Sequence, residues 1–195
     1  MFNGFFILLS GEIDFWVCTF APNSYATFIV KKTLYLVRHA TAESPAPMFK
    51  DFERELTGEG YIEAARMAAF LYKNGVKVER LVASSAFRTR QTAQVFAEQL
   101  HFDWDHIELF DNLYDSGARA YIAAVNNTPD NVSTLMLVGH NPDISYFAEY
   151  LTSSFSQMMD KGSVCIIEFE GLKWAEVSGR TGNLSGFYEV KQLTG

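Results

Sequence analysis

Between Ser133 and Val138 the chain is apolar at consecutive rather than alternate positions, reading Leu135-Met-Leu-Val138. A strand with one face in water alternates apolar and polar side chains. A continuous apolar run is buried on both faces, and this is the habit of parallel strands covered by helices on either side. From Lys32 onward, short β-rich runs alternate with segments of helical periodicity, which predicts an α/β fold: a three-layer α/β/α sandwich around a mostly parallel sheet.

The other elements follow from local signals. Thr33 to Val37 reads as the first strand, and Pro45 and Pro47 mark the loop after it. A helix is predicted from Thr57, with Ile62, Ala65, Ala69 and Tyr72 as one face, ending at Asn74-Gly75. Arg80 to Ala83 is a second strand, followed by a helix with Thr89, Ala93, Phe96 and Leu100 inward and Arg90 in solvent. Ile107 to Phe110 is a third. Ser116 is the predicted N-cap of a helix reaching Asn126, and Asn141-Pro142 opens another, with Asn as cap and Pro at its first position. Val164 to Phe169 and Lys173 to Val177, joined at Glu170-Gly171, read as a hairpin.

Residues 1–31 are read as an N-terminal extension outside a domain spanning 32–195. Residues 1–9 are almost wholly apolar, but no basic residue precedes them and Glu12 and Asp14 interrupt the run, unlike a signal peptide. No stretch approaches the ~18 apolar residues of a membrane span. The formal charge of -7 disfavours nucleic acid, which requires basic patches that neutralise many phosphates. Cys18 and Cys165 match neither a disulfide framework nor a zinc-ligand spacing, so no metal is expected and a reducing, cytoplasmic setting fits. The segment His101-Phe-Asp-Trp-Asp-His106 has its histidines five apart, off any common helical face, and reads as a loop rather than a metal box.

Polar clusters follow three of the predicted strands: Arg38-His39, Ser84 to Arg90, and Gly139-His140. Ligands of open α/β sheets bind at the carboxyl ends of strands, so these clusters converge on one crevice. Arginine presents a planar fork of donors that matches phosphate oxygens, and a helix N-terminus adds backbone N–H groups. A neutral imidazole is a competent nucleophile near pH 7. Two arginines with two histidines therefore point to phosphoryl transfer, in which positioning and charge stabilisation supply most of the rate.

LYLVRH (34–39), RELTGEG (54–60), SSAFRTRQT (84–92) and VGHNP (138–142) together resemble the histidine phosphatase superfamily, the phosphoglycerate-mutase-like group, over about residues 32–195. Within it the order of motifs is most similar to SixA-type phosphohistidine phosphatases. The resemblance implies a phosphoglycerate-mutase-like fold, His39 as the phosphorylated nucleophile, Arg38 and Arg88 as phosphate ligands, His140 as the second pocket histidine, Arg54 as a substrate contact and no cofactor. It also implies a phosphorylated partner, either a histidine-phosphorylated signalling domain or a small phosphorylated metabolite.

The sequence departs from the superfamily where mutases and many small-molecule phosphatases place a glutamate acid: that region reads Asp111-Asn-Leu-Tyr-Asp-Ser-Gly117. Asp115 and Glu43 are the candidate substitutes. An alcohol leaving group, with a pKa of about 15, needs a proton far more than imidazole does, whose reference pKa is about 6.5. The missing glutamate thus favours phosphohistidine as substrate over the alternative of a phosphomonoester; a second alternative, a non-catalytic phosphate-binding module, is disfavoured because Arg38, His39, Arg88 and His140 are all present.

Overall fold

The computed structural model describes residues 30–45 and 50–193. The apolar N-terminal run, Cys18 and Pro47 lie outside the described residues. Strands β1 (Lys31–Arg38), β2 (Arg80–Ser84), β3 (Glu108–Phe110), β4 (Thr134–Gly139), β5 (Val164–Glu170) and β6 (Asn183–Tyr188) form one sheet in the order β3-β2-β4-β1-β5-β6. The β3–β2, β2–β4 and β4–β1 pairings are parallel; β5 and β6 are antiparallel additions beyond β1. The predicted three-layer, mostly parallel architecture is what the structure shows.

β4 lies between β2 and β1, which accounts for its unbroken apolar run. Leu135 and Leu137 face one layer and Met136 and Val138 the other, all fully buried. Each buried leucine contributes on the order of 1.5–3 kcal/mol. One core is formed with α3 (Ala118–Asn126) and α4 (Asp143–Thr152), around Tyr121, Phe147 and Trp174. The opposite core is formed with α1 (Gly58–Lys73) and α2 (Phe87–Gln99), around Met67, Leu71 and Phe96.

α1 begins where expected: the Thr57 hydroxyl accepts from the Gly60 amide at 3.1 Å as its N-cap. Its inward face differs from prediction. Ile62 and Tyr72 are exposed, and Ala64, Met67, Ala68 and Leu71 are buried. The helix start lies close to the chain after β1, where a Cβ at Gly60 would stand 2.0 Å from the Thr41 carbonyl oxygen, and this fixes the face that turns inward. α2 buries Thr89, Ala93 and Phe96 as predicted, with Arg90 exposed.

Three expectations need correction. The strand partner of β5 is β6, while the segment 174–176 is a short 3-10 turn that buries Trp174. The turn carries the indole fully into the core, where it donates to the Val132 carbonyl at 2.7 Å. Asn141 does not cap α4: its amide donates to the Met159 carbonyl and its side-chain oxygen accepts from Ser145. Ser116 likewise yields the cap position of α3 to Gly117, whose φ of 66° suits glycine.

Lys32 is buried at the start of β1. Its ammonium donates to the carbonyls of Asp130 and Val132, the latter at 2.8 Å, and lies 5.9 Å from the Trp174 ring centre. Beyond the strand start, Val30 accepts from the Gly171 amide, so pairing reaches slightly upstream of residue 32.

Candidate active site

The three clusters meet because β1, β4 and β2 are neighbours running the same way. Arg38 is in register with Gly139, and the His39 amide donates to the Gly139 carbonyl at 3.1 Å. His39 and His140 therefore stand side by side just beyond two adjacent strand ends, with ring centres 5.3 Å apart. Gly139 is required here: a Cβ would lie 2.0 Å from the Tyr121 hydroxyl, which itself accepts the His140 amide at 3.1 Å.

The hydrogen bonds of His39 fix its tautomer. Nδ1 is 2.8 Å from the Ala40 carbonyl oxygen, which can only accept, so Nδ1 carries the proton. Nε2 is left with its lone pair, and the Arg88 Nε–H donates to it at 3.3 Å. Burial disfavours the imidazolium and, together with repulsion from Arg88, Arg38 and Arg54, outweighs the Ala40 bond, so the pKa is pushed down to about 3. At neutral pH the ring is an uncharged base with Nε2 aimed at a guanidinium.

His140 is pushed lower still, to about 2, by burial and then by His39 and Arg88. Its Nε2 lies 2.9 Å from the Ser84 hydroxyl at the end of β2, and its buried Nδ1 has no partner. Arg88, in the first turn of α2, is 6% exposed and is presented to the crevice beside that strand end. The loop after His39 is held by the Ala40 amide donating to Thr92 and by Glu63, whose carboxylate accepts from the Thr41 amide and hydroxyl.

Arg38 donates to the Met159 carbonyl at 2.7 Å while its Nε is buried without a partner. It also lines a cavity of about 540 Å³ with Thr41, Glu63, Arg66, Asp160 and Lys191 at the same rim of the sheet. Arg54 donates to the Glu43 carbonyl and to the Asp51 carboxylate at 2.6 Å.

The two acid candidates fare differently from the basic residues. Asp115 and Glu43 are exposed, and among the described residues neither carboxylate makes a hydrogen bond or ion pair with the site. The carboxylate that does reach it is Asp51, which sequence reasoning missed. Oδ1 accepts from Arg54, and Oδ2 accepts from Arg88 at 2.9 Å and from the Tyr114 hydroxyl at 2.8 Å; its backbone carbonyl accepts from Arg88 at 2.6 Å. Partial burial opposes ionisation, but the bonds from Arg54, Tyr114 and Arg88 outweigh it and hold the carboxyl well below its usual range. A signal was present in the i,i+3 spacing of Asp51 and Arg54.

Elsewhere, His106 pairs with Asp103, and among the described residues no group of three or more His, Cys, Asp or Glu side chains is arranged to hold a metal. No described helix is long and apolar enough to cross a membrane.

Residues 34–116 match the model of the histidine phosphatase superfamily (branch 1). An uncharacterized protein of Mycobacterium tuberculosis is 28% identical over 163 residues, covering 78% of this chain and 98% of that protein. One of Picosynechococcus sp. is 32% identical over 121 residues, covering 60% and 70%. A Nakamurella multipartitia structure, provisionally named phosphohistidine phosphatase SixA, superposes with a TM-score of 0.68 at 25% identity, covering 82% of this chain and 96% of that one. With its motifs gathered at one rim of the expected sheet, the chain belongs to the histidine phosphatase superfamily.

Proposed function

We propose that this chain is a phosphatase working through a phosphohistidine intermediate, and that its substrate is phosphohistidine carried on a protein. The observation that carries the reading is the fixed state of His39: Nδ1–H bound to Ala40, and Nε2 unprotonated and facing Arg88. Nε2 attacks phosphorus, the bond to the leaving group breaks, and its electron pair goes to the leaving atom. Arg88 and Arg38 balance charge on the equatorial oxygens, and His140 with its unpartnered Nδ1 completes the pocket. Water then attacks phosphorus, and His39 leaves as the neutral base it was. The ring needs no separate base to activate it, because burial already keeps it uncharged.

The choice of phosphohistidine rests on the leaving group. Among the described residues the carboxylates of Asp115 and Glu43 make no hydrogen bond or ion pair with the site, which speaks against either as the acid that protonates an alkoxide. The SixA name of the 25%-identical structure supports the same choice. Acid-quench and alkali-quench trapping with a panel of phosphohistidine proteins and phosphomonoesters tests it. The expected adduct is acid-labile and alkali-stable, forms from phosphohistidine donors, and is lost in His39→Ala. Turnover of phosphomonoesters alone would overturn the substrate, and turnover undiminished in His39→Ala would overturn the mechanism.

A further inference from the structure

Beside the histidine pair lies a second, differently built surface. Tyr114 meets His140 edge-on at 5.5 Å, Phe52 meets Tyr114 at 5.2 Å and 78°, and Phe87 meets Phe52 at 6.3 Å. All three are half-buried, so they form an aromatic wall running outward from the pocket with one side open. Asp51 stands against it, bonded to the hydroxyl of Tyr114, with its side chain 48% exposed.

In the free protein Asp51 occupies two of the donor groups of Arg88 that a phosphoryl group would use. A bound phosphoryl dianion competes for the same guanidinium. The carboxylate need not leave when this happens, because Arg54 still holds its other oxygen. What results is an ionised carboxylate tethered next to the leaving group, with Oδ2 relieved of Arg88. Such a group accepts a hydrogen bond and has no proton to give.

We propose that Asp51, with the Phe52–Tyr114 wall, is the leaving-group subsite and selects an imidazole ring over an alcohol or phenol. This rests on the phosphatase reading above. The ring of a phosphohistidine is planar and apolar on its faces, which suits the wall, and once its second nitrogen is protonated, as the neighbouring carboxylate favours, that nitrogen bears the N–H that Oδ2 accepts. The chemistry balances without an acid. With that second nitrogen protonated, the substrate ring is cationic; Nε2 of His39 attacks phosphorus, the substrate P–N bond breaks, and its electron pair remains on the departing nitrogen. The substrate ring leaves neutral while the positive charge passes to the phosphorylated His39 ring, whose Nδ1–H stays on Ala40. An oxygen leaving group gains negative charge beside Asp51 and is repelled.

The test compares kcat/KM for a phosphohistidine peptide with kcat/KM for p-nitrophenyl phosphate in the wild type, Asp51→Asn, Asp51→Glu and Phe52→Leu. Loss of a charge-assisted hydrogen bond predicts that Asp51→Asn lowers the ratio of the two by about 10- to 100-fold, with the aryl phosphate rate rising relative to the peptide rate. Asp51→Glu restores part of the ratio, and Phe52→Leu lowers it a few-fold. A purely anchoring role for Asp51 on Arg88 would depress both substrates by one factor and leave the ratio alone, which overturns the proposal while the phosphatase reading stands. A wild type that releases no phosphate from the peptide but hydrolyses the aryl phosphate overturns the phosphohistidine reading first, and this inference with it.

Discussion

The histidine pair and the carboxylate beside it are held by different kinds of structure. His39 and His140 follow directly from two hydrogen-bonded parallel strands, are 7% and 6% exposed, and have backbone amides fixed to Gly139 and Tyr121. Asp51 sits on a three-residue 3-10 turn, and its side chain is held by three other side chains, two of them arginines. The sheet fixes the backbone positions of both imidazoles. The turn gives a charge that can change partners when an anion arrives. On the proposed reading, rigid placement for bond making and adjustable placement for selection are separated onto two parts of one crevice.

The largest expected departure tests the rigid part. Arg88→Ala removes the guanidinium that faces Nε2 and, in the proposed mechanism, holds the phosphoryl group, and kcat/KM is expected to fall about 100- to 1000-fold. A loss below tenfold would mean that Arg88 serves Asp51 rather than the phosphoryl group. Next, Gly139→Ala drives a methyl into Tyr121, which is fully buried and cannot turn aside. Urea unfolding should show a cost of about 3 kcal/mol.

The buried histidines also make a prediction about pH. Their folded pKa values, about 3 and about 2, lie below the unfolded reference of about 6.5, so the unfolded chain binds the extra protons. Their stabilising contribution is fully present above pH 6.5 and is lost as pH falls towards the folded values. Between pH 6.5 and 5, stability should decline with a slope approaching about 1.4 kcal/mol per pH unit for each histidine, and His39→Gln should remove about half of that decline. A flat profile over this interval would show that the rings are not held neutral. The smallest effect is expected on the exposed rim: Glu43→Gln and Asp115→Asn should each change kcat/KM by less than about twofold, since neither carboxylate touches the site. A tenfold loss in either would bring an acid back into the mechanism.

The crevice was legible in the sequence because its main parts follow strands, and a strand's end is marked by the change from apolar to polar residues. Arg38-His39 and Gly139-His140 could be placed side by side once their two runs were read as parallel. Asp51 could not be found that way. Its partners come from the turn itself, α2 and the segment after β3, and no periodicity links them. The inward face of α1 was misread for a related reason: Ile62 and Tyr72 look like core residues, yet the close approach at Gly60 turns the alanine side inward. β6 was missed because Asn183-Leu-Ser-Gly-Phe-Tyr188 is an edge strand with a bulge opposite Ile166 and Ile167, and it lacks a steady alternation.

The buried lysine at the far end of the sheet has a bearing on the crevice. Lys32 ties the start of β1 to the segment that leads into β4, and those two strands run without interruption to the two histidines. Keeping the same side chains inward, the smallest slip between them is two residues, about 6.6 Å along the strand. The spacing of the two imidazole rings is set like the jaws of a caliper, by the paired strands and by a fastening at the end away from the gap. A change made beside Lys32, distant from any substrate, would be read at the jaws.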